Sequence, residues 1–326
     1  MPRSPFAALL AALPLLFAAA PASAGSWGIE LDNDRFVETD RHFTHGTRLF
    51  WLGDADETPD WAFRLADDLP RLDGPGTLRI GAAIGQNMYT PDDITDPDVI
   101  LDDRPYAGWL YGALALARTH DGNRRALELD IGIVGPASLA RQTQIIVHEF
   151  VQTRTPRGWS HQLRNEPGVM LVYEEMWQHA WALPVPGVRF GAIPHAAASL
   201  GNVYTYAAAG GTLRIGDFAD DDFGPARIRL GVPGGDGVSD VSAGFDWYVF
   251  AGAEGRYVAH NIFLDGNTFA DSHSVDRRPF VLDIQLGATL TLPAARLTVM
   301  HVFRTREFER QSAADRFGVV QAAFRF

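Results

Sequence analysis

Along most of this chain apolar and polar residues alternate one by one, in runs of about ten, and that period leaves few folds open. In Leu282-Asp283-Ile284-Gln285-Leu286-Gly287-Ala288-Thr289-Leu290 every second residue is apolar. Leu127, Leu129, Ile131 and Ile133 alternate with Glu128, Asp130 and Gly132 in the same way. A period of two belongs to a strand with two unlike faces. Two architectures share it: a membrane barrel, with lipid-facing and lumen-facing positions, and a soluble sandwich of half-buried strands. Alternating runs fall near 26–32, 42–53, 77–89, 106–119, 124–134, 166–182, 187–199, 202–216, 243–255, 256–265, 279–292, 295–305 and 316–326. Single-chain bacterial barrels have even strand numbers. The 243–265 stretch therefore reads as one long strand, and the expectation is about twelve. Segments 54–76, 90–105, 135–165, 217–242 and 266–278, rich in Asp, Gly and Pro, read as loops. Trp51, Tyr89, Trp109, Tyr111, Trp177, Trp181, Trp247 and Tyr248, near strand ends, are expected to form interfacial girdles.

The two ends of the chain favour the membrane. Arg3, the short apolar run Phe6 to Ala20 and the small residues Ala22-Ser23-Ala24 make a secretory signal peptide of residues 1–24. The apolar run is too short to span a bilayer as a helix. The last residues, Val320 to Phe326, are apolar on alternate positions down to a terminal aromatic. That pattern suggests a final strand read by the barrel-assembly machinery as a partner. Without Arg3 the formal charge falls from −12 to −13, which argues against a nucleic-acid partner. Cysteine is absent, so no disulfide framework supports an exported fold. No linker or composition break divides residues 25–326, which are expected to form one domain.

One segment breaks the strand period. Gly135 to Glu166 reads GPASLARQTQIIVHEFVQTRTPRGWSHQLRNE, and its first half has helical spacing. Ser138 is the expected N-cap, and Thr155-Pro156 and Arg157-Gly158 the stop. Leu139, Thr143, Ile146, Val147 and Phe150 form one mostly apolar face, expected to pack on the barrel wall. Gln144 and His148 lie four apart on another face, with Arg141 and Gln152. That face is either a catalytic surface or an ordinary surface helix with an incidental histidine.

Two further clusters stand out. Glu30-Leu-Asp32-Asn33-Asp34-Arg35, followed by Thr39 to Gly46, packs oxygen-bearing side chains at a strand end, as a hard cation requires. Turn-forming Asn and Asp in a solvated loop give the same composition, and the spacing is not that of an EF-hand. Asp102-Asp103-Arg104-Pro105-Tyr106-Ala107-Gly108-Trp109 sets an Arg beside aromatics. It suits either a lipid phosphate or a loop-to-strand junction with an internal ion pair. No Gly-x-Ser-x-Gly elbow, HExxH helix or Gly-rich phosphate loop is present. Those absences leave water activated by histidine, with or without a metal.

The blocks ELDNDRF, TDRHFTHG, DDRPYAGW and GPASLARQTQIIVHEFVQTRTPRGWSHQLRNEP, in this order, resemble the lipid A 3′-O-deacylase family of the Gram-negative outer membrane. The resemblance runs over essentially the whole mature chain. It implies a twelve-stranded transmembrane antiparallel β-barrel with its active site between the wall and a helix from an extracellular loop. It also implies hydrolysis of the 3′-linked acyloxyacyl group of lipid A within lipopolysaccharide, among outer-membrane lipids, with Ca²⁺ as cofactor and a mechanism like that of secreted phospholipase A2. Carried onto this sequence, His148 becomes the base, Gln144 and Thr44 orient it or the water, and Asp34 and Asn33 hold the cation. The family's acidic residue after the histidine is replaced near Arg154. The chain has no lysine, so Arg41 and Arg104 are the candidates to meet substrate phosphates. A related hydrolase with another acyl substrate, or a non-catalytic small pore, remains open.

Overall fold

The computed structural model describes residues 25–33, 42–225 and 245–325; for Asn33 and 42–44 only the backbone is described. The proposed signal peptide lies outside these residues. The strands are β1 (Gly25–Asn33), β2 (His42–Gly53), β3 (Thr77–Thr90), β4 (Ala107–His120), β5 (Asn123–Val134) and β6 (Glu166–Trp177, continued by His179–Ala182). They continue as β7 (Arg189–Gly201), β8 (Tyr204–Asp217), β9 (Asp246–Asn261), β10 (Phe280–Leu292), β11 (Ala295–Arg304) and β12 (Asp315–Arg325). Every neighbouring pair is antiparallel, and β1 pairs with β12 from Ser26↔Arg325 to Asn33↔Gly318, so the described strands close into a twelve-stranded barrel. β6 is one strand broken at Gln178, since both its parts pair with β7. The expected merger holds: Asp246–Asn261 is a single strand, and its end turns into the short helix α3 (Ile262–Asp265).

The alternation resolves in the membrane sense. On β10, Leu282, Ile284 and Leu286 are exposed while Asp283 and Gln285 between them are buried. On β5, Leu129 is exposed and its neighbours Glu128 and Asp130 are fully buried. A soluble sandwich buries the leucines instead; here the apolar residues form an outer belt and the polar ones fill the lumen.

That lumen is occupied. Arg48 Nη2 donates to both carboxylate oxygens of Glu128, at 2.9 and 3.0 Å. Asp283 receives Arg304 twice at 2.9 Å and also Arg256, and His195 meets Glu254 at 2.9 Å. Removing one member of such a buried pair costs about 3–5 kcal/mol, because the other charge is stranded. A cavity of about 40 Å³ among Glu30, Asp32, Arg48, Tyr111 and Arg304 leaves room for only about three waters. Both ends are closed as well. At the end holding the strand termini Gly25 and Arg325, Asp222 sits between Arg214 and Arg296, each at 3.0 Å, with Phe218 and Phe223 buried beside it. At the far end Phe263 of α3 stacks on Tyr89 at 4.0 Å, and Arg104 lies over the Tyr89 ring.

Two expectations fail here. Trp51, Tyr89, Trp109, Tyr111 and Tyr248 are buried, Trp177 is half-buried, and only Trp181 and Trp247 of the expected girdle are exposed. On β4 both faces read apolar, so alternation could not tell which side the aromatics take. The 54–76 segment is not wholly loop: it carries α1 (Asp60–Asp68), whose Ala62 and Ala66 pack on Leu72, Leu78 and Leu116.

Candidate active site

The helix α2 (Ala140–Phe150) lies against β3 and β4 at the far end. Asn87, Tyr89 and Tyr111 line the lumen, so by alternation Gln86, Met88 and Gly108 face outward. The helix therefore rides on the outer surface of the wall. Its approach depends on glycine. A Cβ at Gly108 would stand 2.1 Å from Ser138 Oγ and 2.3 Å from the Ala140 Cβ. Gly135, with φ of 97°, turns the chain out of β5 while its N–H donates to the Gly108 carbonyl at 2.9 Å. Gln86 Nε2 donates to the Ser138 carbonyl at 2.6 Å. Ser138 is thus not the N-cap. That position belongs to Leu139, in the left-handed region at φ 62°, while Ser138 is buried against the wall.

The buried face of α2 is Ala140, Gln144 and His148. The expected packing face is turned outward: Leu139, Ile146, Val147 and Phe150 are exposed, Phe150 at 87 %. An apolar face turns to the wall when water lies outside, whereas this helix keeps its polar residues for the gap at the wall. Gln152, expected beside His148, lies past the helix end at φ 52°. There the chain doubles back, with Thr153 N–H donating to the His148 carbonyl at 3.0 Å.

This return positions both polar groups. His148 Nδ1 lies 2.7 Å from the Arg154 carbonyl oxygen. A carbonyl only accepts, so Nδ1 carries a proton, and in the neutral form of the ring the lone pair lies on Nε2. Near the place expected for the family's acidic residue, the group that meets His148 is the Arg154 backbone carbonyl. Trp159, in the turn Gly158–His161, donates its indole N–H to Gln144 Oε1 at 2.6 Å. With Oε1 taken, the amide Nε2 of Gln144 is buried and has no partner among the described residues. Trp159 itself packs on Tyr106, ring centroids 4.9 Å apart, with Met88 and Ala140 around it.

The other predicted residues fall in different places. Asp34 and Arg41 lie outside the described residues, as do the side chains of Asn33 and Thr44. Their strands can still be placed. Asn33 pairs with His45, His45 with Met88 and Met88 with Gly108, one lateral row from β1 to the helix-bearing strand. At ~4.8 Å per strand the row spans about 14 Å, and α2 is about 16 Å long. Thr44 lies at the irregularity between Phe43 and His45, where β2 slips by one residue against β3. Among the described residues no three His, Asp or Glu side chains converge as a metal group. Asn33 ends this row on β1, and Asn and Asp, as at 33 and 34 in the sequence, are residue types with hard oxygen donors of the kind Ca²⁺ takes. Arg104 is not at the surface: it is buried, 3.4 Å from Glu307. Its block serves as a hub. Asp103 accepts Asp92 N–H at 2.7 Å, and Tyr106 donates its hydroxyl to Ile94 and accepts Leu163 N–H at its carbonyl.

A sequence model of the family described as outer membrane protein LpxR matches residues 5–326. The chain belongs to the LpxR family of outer-membrane proteins. Its barrel is similar to LpxR from Salmonella typhimurium, with a TM-score of 0.75, 22% identity, and 92% of this chain covering 100% of that one. The β domain of the Bordetella autotransporter BrkA is also similar, at a TM-score of 0.45 and 10% identity, over 93% of this chain and 99% of that one. No curated protein matches. This is the family that the four sequence blocks resemble. In this LpxR-family barrel the sequence reading missed Trp159, Gln86 and the Arg154 carbonyl. The first lay in plain view in the GWSH segment, but nothing in a sequence marks a backbone carbonyl as a histidine's partner.

Proposed function

We propose that this chain is an esterase of the outer membrane that hydrolyses the 3′-linked acyloxyacyl group of lipid A, with its site on the extracellular side. The observation that carries the reading is a histidine whose Nδ1 faces a carbonyl, beside a buried amide with no partner for its N–H among the described residues, in a gap between helix and wall. His148 Nε2 takes a proton from a water as that oxygen attacks the ester carbonyl. Gln144 Nε2 donates to the oxygen that gains negative charge; one such donor is worth about 10²–10³ in rate. The protonated histidine then gives its proton to the departing sugar oxygen as the acyl C–O bond breaks, and the products are the free sugar hydroxyl and an acyloxyacyl acid. Asn33 and Asp34 are the residues to hold Ca²⁺, which when bound supplies positive charge near the developing oxyanion. Thr44 would orient the water, and Arg41 is the candidate for a lipid A phosphate. Arg104, committed to Glu307, is left out of that role.

The test is mass spectrometry of lipid A from cells expressing the chain or its His148→Ala variant, with Ca²⁺ present. Loss of one acyloxyacyl unit with the wild type alone supports the reading. Unchanged lipid A from both, with a folded barrel in the outer membrane, would end it and turn attention to other acylated lipids.

A further inference from the structure

The outward side of α2 is too apolar for water and is continuous with a surface already assigned to lipid. Stepping ~100° per residue divides the helix into three sectors. Ala140, Gln144 and His148 take the sector against the wall. Leu139, Thr143, Ile146, Val147 and Phe150 occupy a second of about 100°, and Arg141, Gln142 and Glu149, with Ile145 among them, a third of similar width. Arg141, Gln142 and Glu149 are exposed with Ile145 half-buried between them, and the four large apolar residues of the other sector are exposed too. A helix with one wall side, one apolar side and one charged side matches the boundary between hydrocarbon and headgroups.

Its height on the barrel agrees. On β4, α2 meets Gly108 and α1 meets Leu116, with the lipid-facing Leu114 exposed between them. Eight residues at ~3.3 Å, with strands tilted ~40°, correspond to about 20 Å of height, against a lipid belt of about 25 Å. The two helices thus sit on the same outer strip of wall near the two edges of the belt, and α1 likewise turns Trp61 and Leu65 outward.

We infer that the apolar side of α2 is a bilayer-docking surface, seated in the acyl-chain region of the outer leaflet with Arg141, Gln142 and Glu149 at the headgroups. This rests on the outer-membrane assignment and on the proposed extracellular side of α2, not on the esterase chemistry. The gap holding His148 then opens beside lipid chains.

The chain has no cysteine, so single thiols can be introduced at Ile146 and Phe150 and spin-labelled in protein reconstituted into liposomes. Leu286→Cys on the outer belt serves as the lipid control, and Asp98→Cys in an exposed loop as the aqueous one. Labels at 146 and 150 should favour collision with oxygen over a water-soluble nickel chelate as the label at 286 does, several-fold more than the label at 98. Values like those at position 98 would overturn the proposal. Dipolar broadening between labels at 146 or 150 would do so too, by showing a second copy of the chain on this face.

Discussion

Gly108→Ala tests the whole arrangement of helix and wall with one methyl group. The added carbon would stand 2.3 Å from the Ala140 Cβ and 2.1 Å from Ser138 Oγ. Carbon atoms pack at about 3.5 Å or more, so the start of α2 must lift by roughly 1.2 Å. A shift of ~1 Å in a reacting group can cost about 10²-fold in rate, or ~2.7 kcal/mol of barrier. The barrel should tolerate the change. Overpacking of this kind typically costs ~1–3 kcal/mol, and here the strain falls on the segment entering α2 rather than on the strand ladder. Purified protein in mixed micelles with lipid A, followed by mass spectrometry of the acyloxyacyl loss, should show turnover about a hundredfold lower. Heat-modifiable migration on a gel should match the wild type. Full turnover from a folded Gly108→Ala variant would mean that the position of α2 on β4 does not set the catalytic geometry.

Trp159→Phe keeps the ring on Tyr106 but removes the donor to Gln144; kcat should fall roughly tenfold, near the worth of one hydrogen bond, and an unchanged kcat would free Gln144 from the scheme. Asp34→Ala should raise the Ca²⁺ concentration needed for half-maximal activity, and a titration that overlays the wild type would move the cation elsewhere. Burial pushes the Glu307 carboxyl up, but the Arg104, Arg304 and Arg256 guanidinium groups more than offset this and hold it below the usual value. A depressed carboxyl contributes stability that is complete above its unfolded pKa and lost as pH falls through the lower folded one. Limited proteolysis of the far-end loops should therefore accelerate below about pH 4, and Glu307→Gln should be cleaved readily at neutral pH with little further pH dependence; equal resistance in both would refute the pairing.

The strand count, the long strand through 243–265 and the helix with Gln144 and His148 on one face were all legible in the sequence, because period and spacing are local. Which way a face points was not. Leu139, Ile146, Val147 and Phe150 form an apolar face in any medium, but only the fold shows that the wall takes the polar side. The DDRPYAGW block likewise carries the same letters whether Arg104 meets a phosphate or Glu307. Its burial depends on Glu307, 203 residues away, a distance across which spacing carries no information. Gly108 is the subtlest case: an absent side chain became meaningful only when Ser138 and Ala140 stood against it.

The closing seam has a consequence for when this molecule becomes competent. Asn33 belongs to the first strand, and its second neighbour, Gly318, is on the twelfth. Until that last strand arrives, one edge of β1 is bare and the end of the row leading to α2 is unsupported. Closing the seam thus gives Asn33, proposed to hold the cation, its second neighbour, whereas His148 on α2 sits against β3 and β4, so the two halves of the proposed site meet only in the closed barrel.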